Sequence, residues 1–217
     1  MKKFLTVTVL AWMACGMYVG AQEDGGVISF DRTVKIKPEF VDAPVFAGGA
    51  AKPGGTAPTE SKWMEVEFKY ACMPPEALDL NSKKGIYLDE AQFKIYIEGI
   101  NPDEPNSDQG EPILLVGEVT YINIPAGKEN YGVFYVHPNT IGRYGGQATF
   151  EKSNKNIRIE AYINGQLVDV IQKKEEDDDG WINPIKRVNH QVYTKEESPF
   201  RLVNISRYPA EKKNRRD

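Results

Sequence analysis

From Ser61 onward the chain alternates apolar and polar positions with period two, the repeat of a strand that buries one face. Trp63 to Cys72 shows it best: Met64, Val66, Phe68, Tyr70 and Cys72 share one parity, with Glu65, Glu67 and Lys69 on the other. Ala91 to Ile100 repeats the pattern with Phe93, Ile95 and Ile97 inward. Ile113 to Ile124 predicts a long strand in which Gly117 marks a bulge. A turn at Gly127-Lys128-Glu129-Asn130 leads into a strand from Tyr131 to His137. Ile157, Ile159, Ala161 and Ile163 then alternate up to Asn164-Gly165. That pair suits a two-residue hairpin turn, which needs positive φ at both central residues, and Leu167, Val168, Val170 and Ile171 form the return strand. Phe200 to Tyr208 predicts a last strand.

The breakers fall between these runs. Val27 to Lys37 predicts an early strand, with Ile28, Phe30, Val34 and Ile36 on one side and Pro38 ending it. The Gly-, Ala-, Pro- and Thr-rich stretch from Ala43 to Thr59 reads as a flexible spacer, because it holds too little apolar surface to offset ordering. A long surface loop is its alternative. Met73-Pro74-Pro75 stops a strand, and Pro75 to Leu78 suits one helical turn. Asn101 to Pro112 reads as a loop, and Pro138 to Gly146 as a loop with one short helical turn. Several short strands and no long helix predict a mainly β protein, a β-sandwich, with a small β-barrel as the alternative.

The N-terminus departs from this pattern. Lys2 and Lys3 precede a mostly apolar stretch from Phe4 to Met13, and Val19-Gly20-Ala21 offers the small residues a signal peptidase reads. A leader over 1–21, cleaved before Gln22, is expected, and with it export across the inner membrane. Cys15 makes a lipoprotein signal the competing reading, but bulky Trp12 fits poorly where a lipidation site wants an aliphatic residue. No later apolar run is long enough to span a bilayer. Lys2 and Lys3 leave with the leader, so the mature chain keeps 25 of the 27 basic residues against 31 acidic ones, a net charge of −6. That balance opposes nucleic-acid and anionic-lipid binding. Cys72 becomes the single thiol of the mature chain, is assigned to the core by its parity, and leaves no internal disulfide.

Candidate chemistry is sparse. His137 and His190 are the two histidines, and neither has a second histidine at metal-ligand spacing. No nucleophile elbow, phosphate loop or dinucleotide fingerprint occurs. The acids Glu65, Glu67, Glu98, Glu118 and Glu160 fall on strand positions expected to face solvent, which offers no acid/base pair. No catalytic residue and no cofactor is therefore assigned, and the expectation is a protein that is not an enzyme. In the acidic run Glu175 to Gly180, Asp177 and Asp179 are calcium candidates, but Lys186 stands where a distal bidentate Glu would be needed. Tyr144, Tyr162 and Trp181 are candidates for an aromatic ligand platform.

The succession Trp63-Met64-Glu65-Val66-Glu67-Phe68, Leu88 to Ile97, Gly117 to Ile122 and Tyr131 to Pro138 resembles the immunoglobulin-like, type IV pilus-associated proteins of Akkermansia and related verrucomicrobia. The resemblance implies an immunoglobulin-like antiparallel β-sandwich made beside pilus-assembly components, in the periplasm or at the outer membrane. It supplies no functional residues. A fibre-forming pilin would keep a long apolar helix after its processing site, where Gln22-Glu23-Asp24-Gly25-Gly26 stands here, so the implied role is accessory.

The resulting organisation is a leader over 1–21, a strand segment over 22–42, the spacer over 43–60, the sandwich over 61–208 and a basic tail over 209–217. The expected function is a non-enzymatic envelope protein acting through contacts with pilus or other envelope proteins, self-association included. A carbohydrate-binding or adhesive sandwich and a purely structural envelope protein are the alternatives. The early strand Val27–Lys37 has two expected fates, pairing inside its own sandwich or with an edge of another subunit.

Overall fold

A computed structural model describes residues 28–33, 36, 38–44, 62–73, 86–101, 110–152, 156–172, 182–183 and 185–213. The leader, most of the spacer, the helical turn at 75–78, the acidic run with Asp177 and Asp179, and Trp181 lie outside the described residues.

Two sheets pack face to face as a β-sandwich. The first combines β1 (Ile28–Phe30), β2 (Pro38–Val41), β3 (Trp63–Cys72), β6 (Glu129–Val136) and β10 (Val192–Tyr193). The second combines β4 (Tyr87–Asn101), β5 (Glu111–Pro125), β7 (Ile157–Ile163), β8 (Gln166–Gln172), β9 (Lys186–Asn189) and β11 (Ala210–Glu211). All pairings are antiparallel except β5 with β9. Between β6 and β7 lie two short helices, α1 (Pro138–Arg143) and α2 (Gln147–Lys152).

The parity read from the sequence sets the core. Met64, Val66, Phe68, Tyr70 and Cys72 of β3 face Phe93, Ile95 and Ile97 of β4 across the sandwich, all of them buried. Phe93 is the meeting point of the aromatic cluster. Its ring centre lies 4.8 Å from that of Tyr70, 5.1 Å from Phe68, 5.8 Å from Tyr121 and 6.0 Å from Phe30. Offset and edge-on aromatic pairs of this kind add to the area they bury.

The early strand is shorter and differently placed than its pattern implies. β1 covers three residues, the chain turns at Asp31 to Thr33, and Pro38 opens β2 instead of ending a strand. Both pieces pair along the same edge of β3, from Ile28↔Cys72 to Val41↔Trp63, so this segment is part of its own sandwich. An edge strand split in two presents a poor template to another chain. Asp169 of β8 then ties this edge to the opposite sheet. Its carboxylate accepts from the backbone N–H of Phe30 at 2.7 Å and of Val170 at 2.8 Å, and from the Arg32 guanidinium at 2.6 Å.

The other edge is joined by the chain itself. Residues 186–193 run as β9 in the second sheet and, after His190 at φ 62°, as β10 in the first. Gly117 is explained here. The β4–β5 ladder passes through Ile95↔Gly117 without a shift, so no bulge occurs, and a Cβ at Gly117 would stand 2.7 Å from Val192 of β10. The irregularity in this sheet falls instead between Ala161 and Tyr162.

The hairpin at Asn164-Gly165 forms as its sequence dictates, with φ of 51° and 77°. The last strand does not. Pro199 to Leu202 forms a 3₁₀ turn capped by the Ser198 hydroxyl, and the chain reaches strand geometry only at Ala210–Glu211. Alternation of Phe200, Leu202 and Asn204 mimicked a strand, but Ser198-Pro199 is a helix-start signal and Asn204 sits at φ 50°.

Gly132 lies opposite Phe68 in the β3–β6 ladder, and a Cβ there would overlap the Phe68 ring, which is itself packed among Phe30, Phe93 and Phe134. Gly132→Ala is therefore expected to cost about 1–3 kcal/mol in urea unfolding, and an unchanged midpoint would show that the ring moves freely.

Candidate functional site

A sandwich has two outer faces, and this chain treats them differently. On the first sheet, the odd positions of β3 and β6 point away from the core. Trp63, Val133 and Tyr135 form a second apolar cluster there with Phe200 from the 3₁₀ turn. The Phe200 ring stacks on Tyr135 with centres 4.5 Å apart, and Trp63 meets it edge-on at 5.9 Å. Further along, Glu67 takes a two-pronged ion pair from Arg207, at 2.8 and 2.5 Å, and a hydrogen bond from the Tyr208 hydroxyl at 2.7 Å. The Arg207 guanidinium also lies over the Tyr131 ring, 4.2 Å from its centre. Lys195 is buried and donates to the Arg201 carbonyl at 3.1 Å, while Glu211 accepts from the Lys195 N–H at 3.0 Å. Residues 195–211 thus strap this face shut. Burial pushes the carboxyls of Glu65 and Glu211 above the usual carboxylate range.

The outer face of the second sheet is polar. Register places Gln92↔Tyr162, Lys94↔Glu160 and Tyr96↔Arg158 side by side on β4 and β7. The Glu160 carboxylate is the node. Arg158 Nε donates to Oε1 at 2.8 Å, and the hydroxyls of Tyr162 (2.6 Å) and Tyr96 (3.1 Å) donate to Oε2. Arg158 and Glu160 are 4% and 6% exposed, so this pair is largely withdrawn from solvent. Burial and the neighbouring Glu160 raise the phenol pKa values of Tyr96 and Tyr162, which therefore stay protonated as donors. Arg187 lies over the Tyr96 ring and Lys94 over the Tyr162 ring, 5.7 and 5.4 Å from their centres. Leu114 and Ile182, with Val116 and Ile185 packed beside them, cover one end of this face. At the other end Glu118 is exposed, bonded by Gln92 at 3.3 Å and facing Lys94 at 3.8 Å.

Of the two sequence candidates among the described residues, Tyr162 is placed on this face and Tyr144 is not. Tyr144 is a core residue, 5% exposed beside Ile141 and Phe150, so it does not join a platform. Its ring closes the sandwich end, and its carbonyl accepts from Ile100 N–H at 3.0 Å. His137 caps α1, its Nδ1 accepting from Asn139 N–H at 3.0 Å, and packs on Trp63. Cys72 is buried. The expected ladder of solvent-facing acids is corrected in three places: Glu160 is buried in its cluster, Glu67 is held by Arg207 and Tyr208, and Glu65 is half-buried beside Tyr135. The signal for Glu160 was present as Arg158-x-Glu160-x-Tyr162, which period two puts on one face as an ion pair with a donor beside it. Among the described residues no group of three or more His, Cys, Asp and Glu side chains is arranged to hold a metal ion.

With this geometry in hand, comparison with known proteins is informative. A protein-family model matches residues 31–215, nearly all of the chain beyond its N-terminal segment. The chain belongs to that family. A crystal structure of a protein from Akkermansia muciniphila superposes with a TM-score of 0.66 at 22% identity, over 86% of this chain and 93% of that one. At that identity the likeness is one of fold: family member and solved neighbour share the two-sheet β-sandwich. No protein of curated function matches the chain. Among the described residues no helix is long and apolar enough to cross a membrane.

The Glu160 node sets a clear expectation. Arg158→Met leaves a buried carboxylate without its cation and is expected to cost about 3–5 kcal/mol, whereas Arg158→Met with Glu160→Leu should recover most of that loss. Equal unfolding midpoints for the single and double variants would show that the pair is not desolvated.

Proposed function

We propose that this chain is an exported, non-enzymatic cell-envelope protein that serves as an accessory component of a type IV pilus-like system through contacts with other envelope proteins. The observation that carries the reading is the strand succession that resembles pilus-associated sandwiches, and the family match over residues 31–215 supports the shared fold only. The leader-like segment before Gln22 supports export, and the polar residues from Gln22 to Gly26 support an accessory rather than a fibre-forming role.

The geometry supports contact rather than turnover. The outer face of the first sheet is occupied by the protein's own strap. On the second sheet exposed Arg187 of β9, exposed Glu118 of β5 and half-exposed Lys94 of β4 set both charge signs on neighbouring strands. Mixed charges of that kind fix the register and choice of a complementary surface more than they add raw affinity. The ionic groups that are buried are spent on holding strands and strap together.

Cross-linking in intact cells, followed by capture of this protein, tests the reading. Pilus secretin or alignment proteins are expected above an unrelated periplasmic control, on a chain whose N-terminus is Gln22. Recovery of the protein cross-linked to itself alone, or a chain that keeps Met1, would overturn it.

A further inference from the structure

The turn end of the second sheet's outer face holds a pocket of about 250 Å³, lined by Glu90, Gln92, Thr120, Tyr162, Asn164 and Lys212. We infer that this pocket binds a single pyranose unit of a neutral glycan. The inference stands apart from the pilus reading, because it concerns a small-molecule site and not a protein contact.

The lining decides the ligand class. Gln92 and Asn164 bring side-chain amides and Thr120 a hydroxyl, groups that both donate and accept. The pocket's cation, Lys212, is already paired with Glu90. Among the described residues a phosphate or carboxylate would therefore meet no unpaired cation in the lining, and Glu118 beside it is itself paired with Lys94. The lining is mostly polar, with Tyr162 its one aromatic residue, which suits neither a lipid nor an apolar peptide. A pyranose offers what this set can match: one C–H face for an aromatic ring, and a rim of hydroxyls for amides, a hydroxyl and a carboxylate. The volume lies just below the roughly 300–1,000 Å³ of sites for drug-sized ligands, which suits one sugar ring.

The Tyr162 ring is also preorganised. Its hydroxyl is fixed by Glu160 at 2.6 Å, Glu160 is fixed by buried Arg158 at 2.8 Å, and the Lys94 ammonium restrains the ring from above. A side chain already ordered loses little further freedom on binding. The hairpin turn adds a second fixed wall, because Asn164 and Gly165 are set by their positive φ values.

Saturation-transfer NMR on the chain from Gln22 to Asp217 tests this, with methyl β-D-glucopyranoside, methyl β-D-galactopyranoside and N-acetyl-D-glucosamine as probes and D-glucuronate and inorganic phosphate as charged comparators. Transfer to ring C–H protons of at least one neutral sugar is expected. Tyr162→Ala and Thr120→Val should each weaken it by about tenfold or more. Melting curves separate lost binding from lost fold. Thr120→Val decides the matter if Tyr162→Ala disturbs the Glu160 node. No transfer to any neutral sugar, a preference for phosphate or glucuronate, or binding unchanged in Thr120→Val would overturn the inference.

Discussion

The packing of β3 against β4 through Phe93 is the contact on which the rest of the molecule depends. Phe68 and Tyr70 come from one sheet, Tyr121 from the other, and Phe30 from the split edge strand, and all touch the same ring. Each sheet exists as a buried surface only because the other covers it. The edges follow from that closure. Asp169 binds the β1 edge to β8, and the continuous run through His190 carries the opposite edge from one sheet to the other. Cys72 is a free thiol buried in the same core, so packing holds the described fold together without a disulfide from it.

Closing the interior leaves two outer faces to be managed. The first is covered by the chain's own C-terminal stretch, with Phe200 on Tyr135 and Arg207 on Glu67. The second carries a polar network around Glu160, with Glu118 and Arg187 exposed beside it. The two outer faces therefore differ, one covered by the chain's own C-terminal stretch and one polar.

Much of this was legible in the sequence, and the exceptions have a common cause. Period two gave the inward rows of β3, β4 and β7 correctly, and Asn164-Gly165 gave the hairpin, because both are local rules. What lay on the outward side was read as solvent. Glu67 is instead held by Arg207 and Tyr208, 140 and 141 positions away, which no local rule reports, and Glu160 takes Tyr96, 64 positions away, in addition to its local partners Arg158 and Tyr162. Gly117 fails the same way: its meaning is Val192, on a strand of the other sheet. Residues 200–208 alternated like a strand but lie flat on a face that was already a sheet. Of the site, Tyr162 was visible as an exposed aromatic, while the Arg158-x-Glu160-x-Tyr162 spacing that builds its node reads equally well as a solvent-facing row.

On the proposed function, the second sheet's outer face is the working surface while the first is covered by the strap. Photo-cross-linking amino acids placed singly at Lys94 and Glu118 on the one face, and at Arg201 and Leu202 on the strap, would test it in living cells. Envelope-protein adducts are expected from the first pair and not from the second. Adducts from the strap positions alone, or equally from both faces, would contradict the account.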